Sequence, residues 1–142
     1  MSDQITKNIV VGIEAKRCFD AWSDFEHFPE FMENIQSVHI IGGNRSHWVM
    51  EGPLGQKIEW NAEVTEYQPN ERIAWTSIDG DIETSGQVTF QGLPADQTGV
   101  TLMMQYIVLA GELGEAVAEL FDDPERQLMQ DLRNFKDYVE NR

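Results

Sequence analysis

Residues 56–66 read Q-K-I-E-W-N-A-E-V-T-E. Ile58, Trp60, Ala62 and Val64 alternate there with Lys57, Glu59, Asn61 and Glu63, and residues two apart share one face of a strand. One face is apolar and aromatic, the other acidic and wet. A sheet built on such a strand is antiparallel and half-solvated, and another part of the chain has to cover its apolar side.

Working outward, the same punctuated pattern recurs. Runs at Gln36–Ile41, Arg45–Glu51, Gln56–Glu66, Arg72–Ser77, Ile82–Gln91 and Gly99–Leu109 are separated by turn chemistry such as Gly42-Gly43-Asn44, Gly52-Pro53, Pro69-Asn70 and Asp79-Gly80-Asp81. Gln4–Val11 adds a strand at the start. Ala15, Cys18, Phe19 and Trp22 then recur at the spacing of one helical face, and Phe25–Met32, with Pro29, reads as a second, shorter helix or tight turn. From Glu112 to Asn141, Leu113, Val117, Leu120, Phe121, Leu128, Leu132, Phe135 and Val139 form one long apolar stripe. Pro124 interrupts it, so a kink or restart is expected there, capped by Asp122 or Asp123.

Strand parity carried into the neighbouring runs puts Trp48 and Met50, Ile73 and Trp75, Val88 and Phe90, and Leu102, Met104 and Tyr106 on the apolar face. The expected fold class is therefore α+β: a curved antiparallel sheet of about seven strands wrapped on a long C-terminal helix, with two short helices after the first strand. One sheet and one helix enclose a large space, and aromatic rings line many small-molecule pockets. Trp48, Met50, Trp60, Trp75, Val88, Met104, Tyr106, Phe121 and Leu128 are the expected ligand-binding residues, with Phe121 as a gate beside Pro124. The three tryptophans serve equally well as the filling of a solid core.

The 142 residues suit one domain spanning 1–142. Twenty-five acidic and ten basic residues leave a net charge of −15, spread over Glu14–Glu33, Glu51–Glu83 and Glu112–Arg142. No basic stripe is available to displace counterions from phosphates, so nucleic acid is not an expected partner, and anionic membranes are repelled. No apolar run approaches the length of a membrane span, and Met1–Lys7 lacks the regions of a signal peptide; the expected location is the cytoplasm. The single cysteine, Cys18, has no internal disulfide partner.

Chemistry-bearing constellations are sparse. His27, His39 and His47 show no metal-ligand spacing, and the chain has no phosphate loop, nucleophile elbow or dinucleotide fingerprint. No metal, cofactor or catalytic residue is expected. Cys18 reads as a small core hydrophobe, and Asp24, Glu26 and His27 as caps of the short second helix. Tyr106, with Thr84 and Ser77 behind it, is the best of the few inward polar candidates on the sheet, although the helix or loops could still supply a charged group.

The segments W-S-D-F-E-H-F-P-E-F-M (Trp22–Met32), W-N-A-E-V-T-E-Y-Q-P-N-E-R-I-A-W (Trp60–Trp75), G-Q-V-T-F (Gly86–Phe90) and D-L-R-N-F-K (Asp131–Lys136) resemble the bacterial polyketide cyclase/dehydrase group of the START-like, helix-grip superfamily. That resemblance implies a cavity between sheet and long helix that accepts a hydrophobic small molecule. The leading expectation is binding or transport of a lipid, isoprenoid or polyketide-like compound. The alternatives are a cyclase or dehydratase acting on a polyketide-like substrate, and a protein-interaction module with an acidic surface. A protein partner or homo-oligomer has no support in the residues.

Overall fold

The computed structural model describes residues 3–51, 55, 57–107 and 124–141. Seven strands form one fully antiparallel sheet: β1 (Asp3–Val11), β2 (Ile35–Gly42), β3 (Arg45–Glu51), β4 (Lys57–Gln68), β5 (Arg72–Gly80), β6 (Glu83–Leu93) and β7 (Gln97–Ile107). Their spatial order is β1-β7-β6-β5-β4-β3-β2, so consecutive strands are neighbours except where β1 pairs with β7. The connection from β1 to β2 therefore joins the two sheet edges. It contains α1 (Ala15–Ser23) and a 3-10 helix (Phe25–Glu30). Helix α2 (Pro124–Glu140) follows.

Local chemistry explains these boundaries. The β2–β3 turn uses Gly42 and Gly43 at φ 138° and 55°, where a side chain is disfavoured. The β6–β7 turn is tighter than the expected loop Gly92–Thr98, because Ala95 and Asp96 themselves adopt φ 64° and 55° and leave only residues 94–96 outside the strands. The expected second helix is a six-residue 3-10 helix, with Phe31 N–H and Met32 N–H both donating to Phe28 O at 3.1 and 2.9 Å. Among the described residues helix α2 runs from Pro124, a residue that a first helical turn tolerates because its missing N–H is not needed there. The expected helical residues 112–123, including Phe121, lie outside the described residues.

Parity holds across the sheet. Trp48 pairs with Trp60 and Met50 with Ile58 in register, Val64 pairs with Trp75, and Ile73 with Val88. Ile58, Ile73, Val88 and Leu102 are fully buried, and Trp48, Val64, Trp75 and Met104 pack against that core. Register shifts between Asn61 and Ala62 and between Val64 and Glu66 interrupt the β4–β5 pairing; such bulges bend a strand and increase its twist. They curve the sheet around its tryptophans.

Helix α2 is held mainly by its second half. Leu132, Phe135 and Val139 are buried, and Phe135 meets Trp22 of α1 edge-on at 4.8 Å. Asn134 Nδ2 donates to Phe31 O at 3.0 Å, Lys136 Nζ to Val10 O at 3.0 Å, and Gly12 N–H to Glu140 Oε2 at 2.7 Å. Among the described residues no helix is long and apolar enough to cross a membrane.

Gly80, at φ 126°, lies directly over Trp60: a Cβ there would sit 2.4 Å from Trp60 Cα. Gly92 has nothing within 4 Å of the same position. Gly80→Ala is therefore expected to destabilise the fold by more than about 1 kcal/mol, whereas Gly92→Ala should change stability by less than about 1 kcal/mol. Urea denaturation with an unchanged slope measures both, and a neutral Gly80→Ala would show that the β4–β5 approach is not as close as described.

Candidate functional site

Where α2 meets the sheet, its two halves differ. The second half packs tightly, but the first half, carrying Gln127, Leu128 and Asp131, faces a cavity of about 140 Å³. Sheet residues Trp48, Met50, Trp60, Val64, Trp75 and Met104 form one wall, and Trp22, Phe25, Phe28 and Met32 from the β1–β2 connection close one end. At roughly 10–15 Å³ per water-sized position, this is space for on the order of ten non-hydrogen atoms.

The aromatic wall is ordered by contacts among its own rings. Trp48 and Trp60 stack at 5.9 Å with planes 13° apart, and Phe28 packs edge-on against Trp48 at 5.3 Å. Trp48 Nε1–H donates to Ser46 Oγ at 2.8 Å, which satisfies its polar edge. Gly86 makes room for Trp75: a Cβ on that glycine would lie 2.9 Å from Trp75 Cζ2. The Trp75 ring can therefore lie close against the sheet.

Of the residues expected to bind ligand, Trp48, Met50, Trp60, Trp75, Met104 and Leu128 line the cavity together. Val88 does not. It is fully buried between Ile73 and Leu102 in register, two residues from Phe90, whose ring packs against Phe19 of α1; it belongs to the solid half of the core. Tyr106 pairs with Thr84 through its backbone, but its side chain is outside the described residues, as is Phe121. Thr84 lines the cavity, with its hydroxyl donating to Gln105 O at 3.1 Å, and Ser77 Oγ accepts the Thr84 N–H at 3.0 Å. Both hydroxyls are engaged in holding strands together.

Asp131 is the cavity residue that strand parity could not reveal. It sits three residues after Leu128 and four before Phe135, within the apolar stripe of α2, and its carboxyl is partly buried. Burial pushes it up from an ordinary value of 3.8 to about 7; Glu33 adds repulsion, and the Gln127 Nε2–H bond to Oδ1 at 3.0 Å opposes the rise. A second unusual group is Trp22. Its indole Nε1 is buried and meets no acceptor among the described residues, a condition that costs about 1–3 kcal/mol.

The remaining candidates lie elsewhere. Cys18 is buried, and desolvation pushes its thiol up, away from the reactive thiolate. The expected capping by Asp24 and Glu26 gives way to other bonds. Asp24 lies 2.7 Å from His27 Nδ1 and makes no side-chain cap, while Glu26 Oε2 accepts the Ile40 N–H at 3.1 Å. His47, on the outer face, has Nδ1 2.7 Å from Asn61 Oδ1 and Nε2 3.2 Å from Glu59 Oε1. Among the described residues no group of three or more His, Cys, Asp or Glu side chains converges to hold a metal ion.

The Asp131 environment has a consequence for stability. Unfolded, the carboxyl releases its proton near 3.8; folded, it retains it to about 7. Between these values the folded chain binds more protons than the unfolded chain, so stability falls as pH rises through the window. Asp131→Asn is expected to remove that slope and to gain about 2 kcal/mol or more at pH 8 relative to wild type, with little difference near pH 4. Thermal unfolding of both proteins across this range tests the assignment, and parallel profiles would refute it.

Comparisons with known proteins agree with this geometry. The family model described as polyketide cyclase / dehydrase and lipid transport matches residues 11–133. An uncharacterized 17.2 kDa protein of Streptomyces lincolnensis is 34% identical over 139 residues, covering 98% of this chain and 91% of that protein. A crystal structure from Deinococcus radiodurans is 32% identical, covers 94% of this chain and 95% of that one, and superposes with a TM-score of 0.74. At lower identity, the Zhui aromatase/cyclase from Streptomyces shares the fold at TM-score 0.79, with 18% identity and 100% and 96% of the two chains covered. A START superfamily protein from Mycobacterium smegmatis does so at TM-score 0.77, with 20% identity and 97% of each chain covered. With its seven-stranded sheet gripping α2 and its match over most of its length, the chain belongs to the polyketide cyclase / dehydrase and lipid transport family.

Proposed function

We propose that residues 1–142 act as one domain that binds a small apolar, ring-containing molecule in the cavity between the sheet and α2. The observation that carries this reading is the stacked Trp48–Trp60 pair, which lines a cavity together with Leu128 of α2. Flat aromatic walls suit flat or fused-ring ligands. Burying about ten carbon atoms at roughly 0.8 kcal/mol each gives a gross gain near 8 kcal/mol, and the costs of association and ordering reduce it. Because about 8 kcal/mol without those costs already corresponds to a Kd near 1 µM, an affinity weaker than micromolar is the expectation.

One observation favours catalysis as the second reading. Asp131, near half-protonated at neutral pH inside the cavity, has the proton affinity that general acid–base chemistry requires. A cyclase or dehydratase would place the reacting carbon skeleton against this carboxyl. The zinc, phosphate-loop and dinucleotide chemistries remain without candidate residues in the sequence.

Native mass spectrometry of the purified protein is expected to reveal a co-purified hydrophobic compound, or uptake of an added bicyclic hydrocarbon such as tetralin. Trp60→Ala should weaken uptake at least tenfold and lower stability by about 3 kcal/mol, through lost burial and the void left behind. Unimpaired binding by this variant would show that the ligand does not use the tryptophan wall. A product formed in multiple turnovers and abolished by Asp131→Asn would select the enzyme over the carrier.

A further inference from the structure

The charges and ring faces that border the cavity share one sign. Among the described residues lining it, Asp131 and Glu63 are acidic and none is Lys, Arg or His. Glu63 is engaged with Arg45 at 3.6 Å, whereas Asp131 accepts a hydrogen bond from the neutral Gln127 at 3.0 Å. Trp48, Trp60 and Trp75 border the same space, and an indole ring carries negative charge density on its face. Carboxyl and rings belong to one end of the molecule. Asn134, three residues after Asp131 on α2, donates to Phe31 O at 3.0 Å, and Glu33 acts on Asp131 electrostatically; both place the carboxyl beside the segment that leads into β2. Ile35 at the start of β2 pairs with Met50, and Trp48 lies two residues from Met50 on the same strand face, about 7 Å along β3. In a cavity of about 140 Å³, a ligand of about ten non-hydrogen atoms that fills the space meets the carboxyl and the rings together.

We propose that the molecule held in this cavity is an organic cation, a ring-containing body that carries a methylated ammonium group, with the Asp131 carboxylate as its counter-charge and the tryptophan wall as its cation–π surface. The proposal rests on cavity binding as the protein's function and specifies the ligand's charge. A cation over an indole face gains most where water is excluded, and quaternary ammonium groups suit such walls. A methylated ammonium also leaves few or no N–H groups unsatisfied when it is buried, which a primary amine in an apolar wall cannot avoid. An anion finds no counter-charge among the described lining residues, and a neutral ligand gains burial alone. Burial pushes the Asp131 carboxyl of the empty site up to about 7, so an entering cation favours the ionised form and expels the proton where it is present. Few other groups enter this titration. Glu33 repels the carboxylate from the segment before β2, Glu63 on β4 is paired with Arg45 of β3, and the remaining described cavity residues, from Ile5 on β1 to Gln127 and Leu128 on α2, do not titrate.

Phenyltrimethylammonium and tert-butylbenzene have the same shape and differ by one positive charge. Neither titrates, so any pH effect belongs to the protein. Titrations followed by tryptophan fluorescence are expected to show the ammonium preferred by about tenfold or more near pH 8.5, where Asp131 is ionised. Near pH 5.5, where it is protonated, the preference should fall at least about fivefold. Calorimetry at pH 7 in buffers of different ionisation enthalpy should show the ammonium releasing up to roughly half a proton per molecule bound. Asp131→Asn, which keeps the side chain's size, should hold the preference at its low-pH level across the range and abolish proton release. Trp75→Leu should weaken ammonium binding by about threefold or more and tert-butylbenzene binding by less. Equal affinities at pH 8.5, a preference for tert-butylbenzene there, or a preference unchanged in Asp131→Asn overturns the proposal while leaving cavity binding intact. Binding of neither probe removes the cavity reading and this proposal together. Should Asp131→Asn fail to fold, the pH profile and proton release of the wild type decide.

Discussion

The unequal packing of α2 along its length is the constraint from which the site follows. At one end Leu132, Phe135 and Val139 reach the core and become buried, while polar bonds from Asn134 and Lys136 and to Glu140 tie the helix to β1 and to the β1–β2 connection. These contacts fix the helix axis. The first half then runs beside the cavity lined by the sheet's tryptophans, where Leu128 is only partly buried against the core. Protein interiors ordinarily pack to the density of organic crystals, so a hollow of this kind persists only because the backbone on both sides is already anchored elsewhere.

The sheet contributes the complementary half of this arrangement. Trp48, Trp60 and Trp75 are large enough to fill a core, yet they stack on one another or lie over glycine. Gly86 lets Trp75 approach the sheet, and Gly80 lets β5 approach Trp60. The bulges in the β4–β5 pairing bend the same region. Bulk is thereby placed along the wall, and the centre stays open.

Most of this architecture was legible because strand alternation and turn residues are local signals. Ile58, Trp60, Ala62 and Val64 declare an inward face without reference to any other element, and the turns at Gly42-Gly43 and Asn70 carry the positive φ values their residue types allow. The site was legible only in part. Parity assigns a face but not a position along it, which is why Val88 was grouped with the tryptophans although it lies in the solid half of the core. Asp131 was visible in principle, as an acid at the i+3 position from Leu128 within an apolar stripe. A hydrophobic stripe is defined by its apolar members alone, so Leu128, Leu132, Phe135 and Val139 mark the helix face without marking the acid that lies on it. The edge-on contact of Trp22 with Phe135 depends on the α1–α2 packing, and no local sequence signal contains it.

Hollow core and buried acid are coupled physically. At about 24 cal/mol per Å³, a void of 140 Å³ costs on the order of 3 kcal/mol of stability, and a ligand that fills it recovers that loss as binding free energy. Filling the space also strips the remaining water from Asp131, which raises further the cost of its charged form. Occupancy by an uncharged ligand and protonation of Asp131 therefore favour one another, and by reciprocity of linked equilibria each changes the other's affinity by the same factor. A carboxyl that titrates near 7 before any ligand enters lies at the midpoint of its response, where a small change in its surroundings produces the largest change in charge. On the proposed binding function, the same residue that destabilises the empty fold as pH rises through this window links occupancy of the cavity to its own protonation.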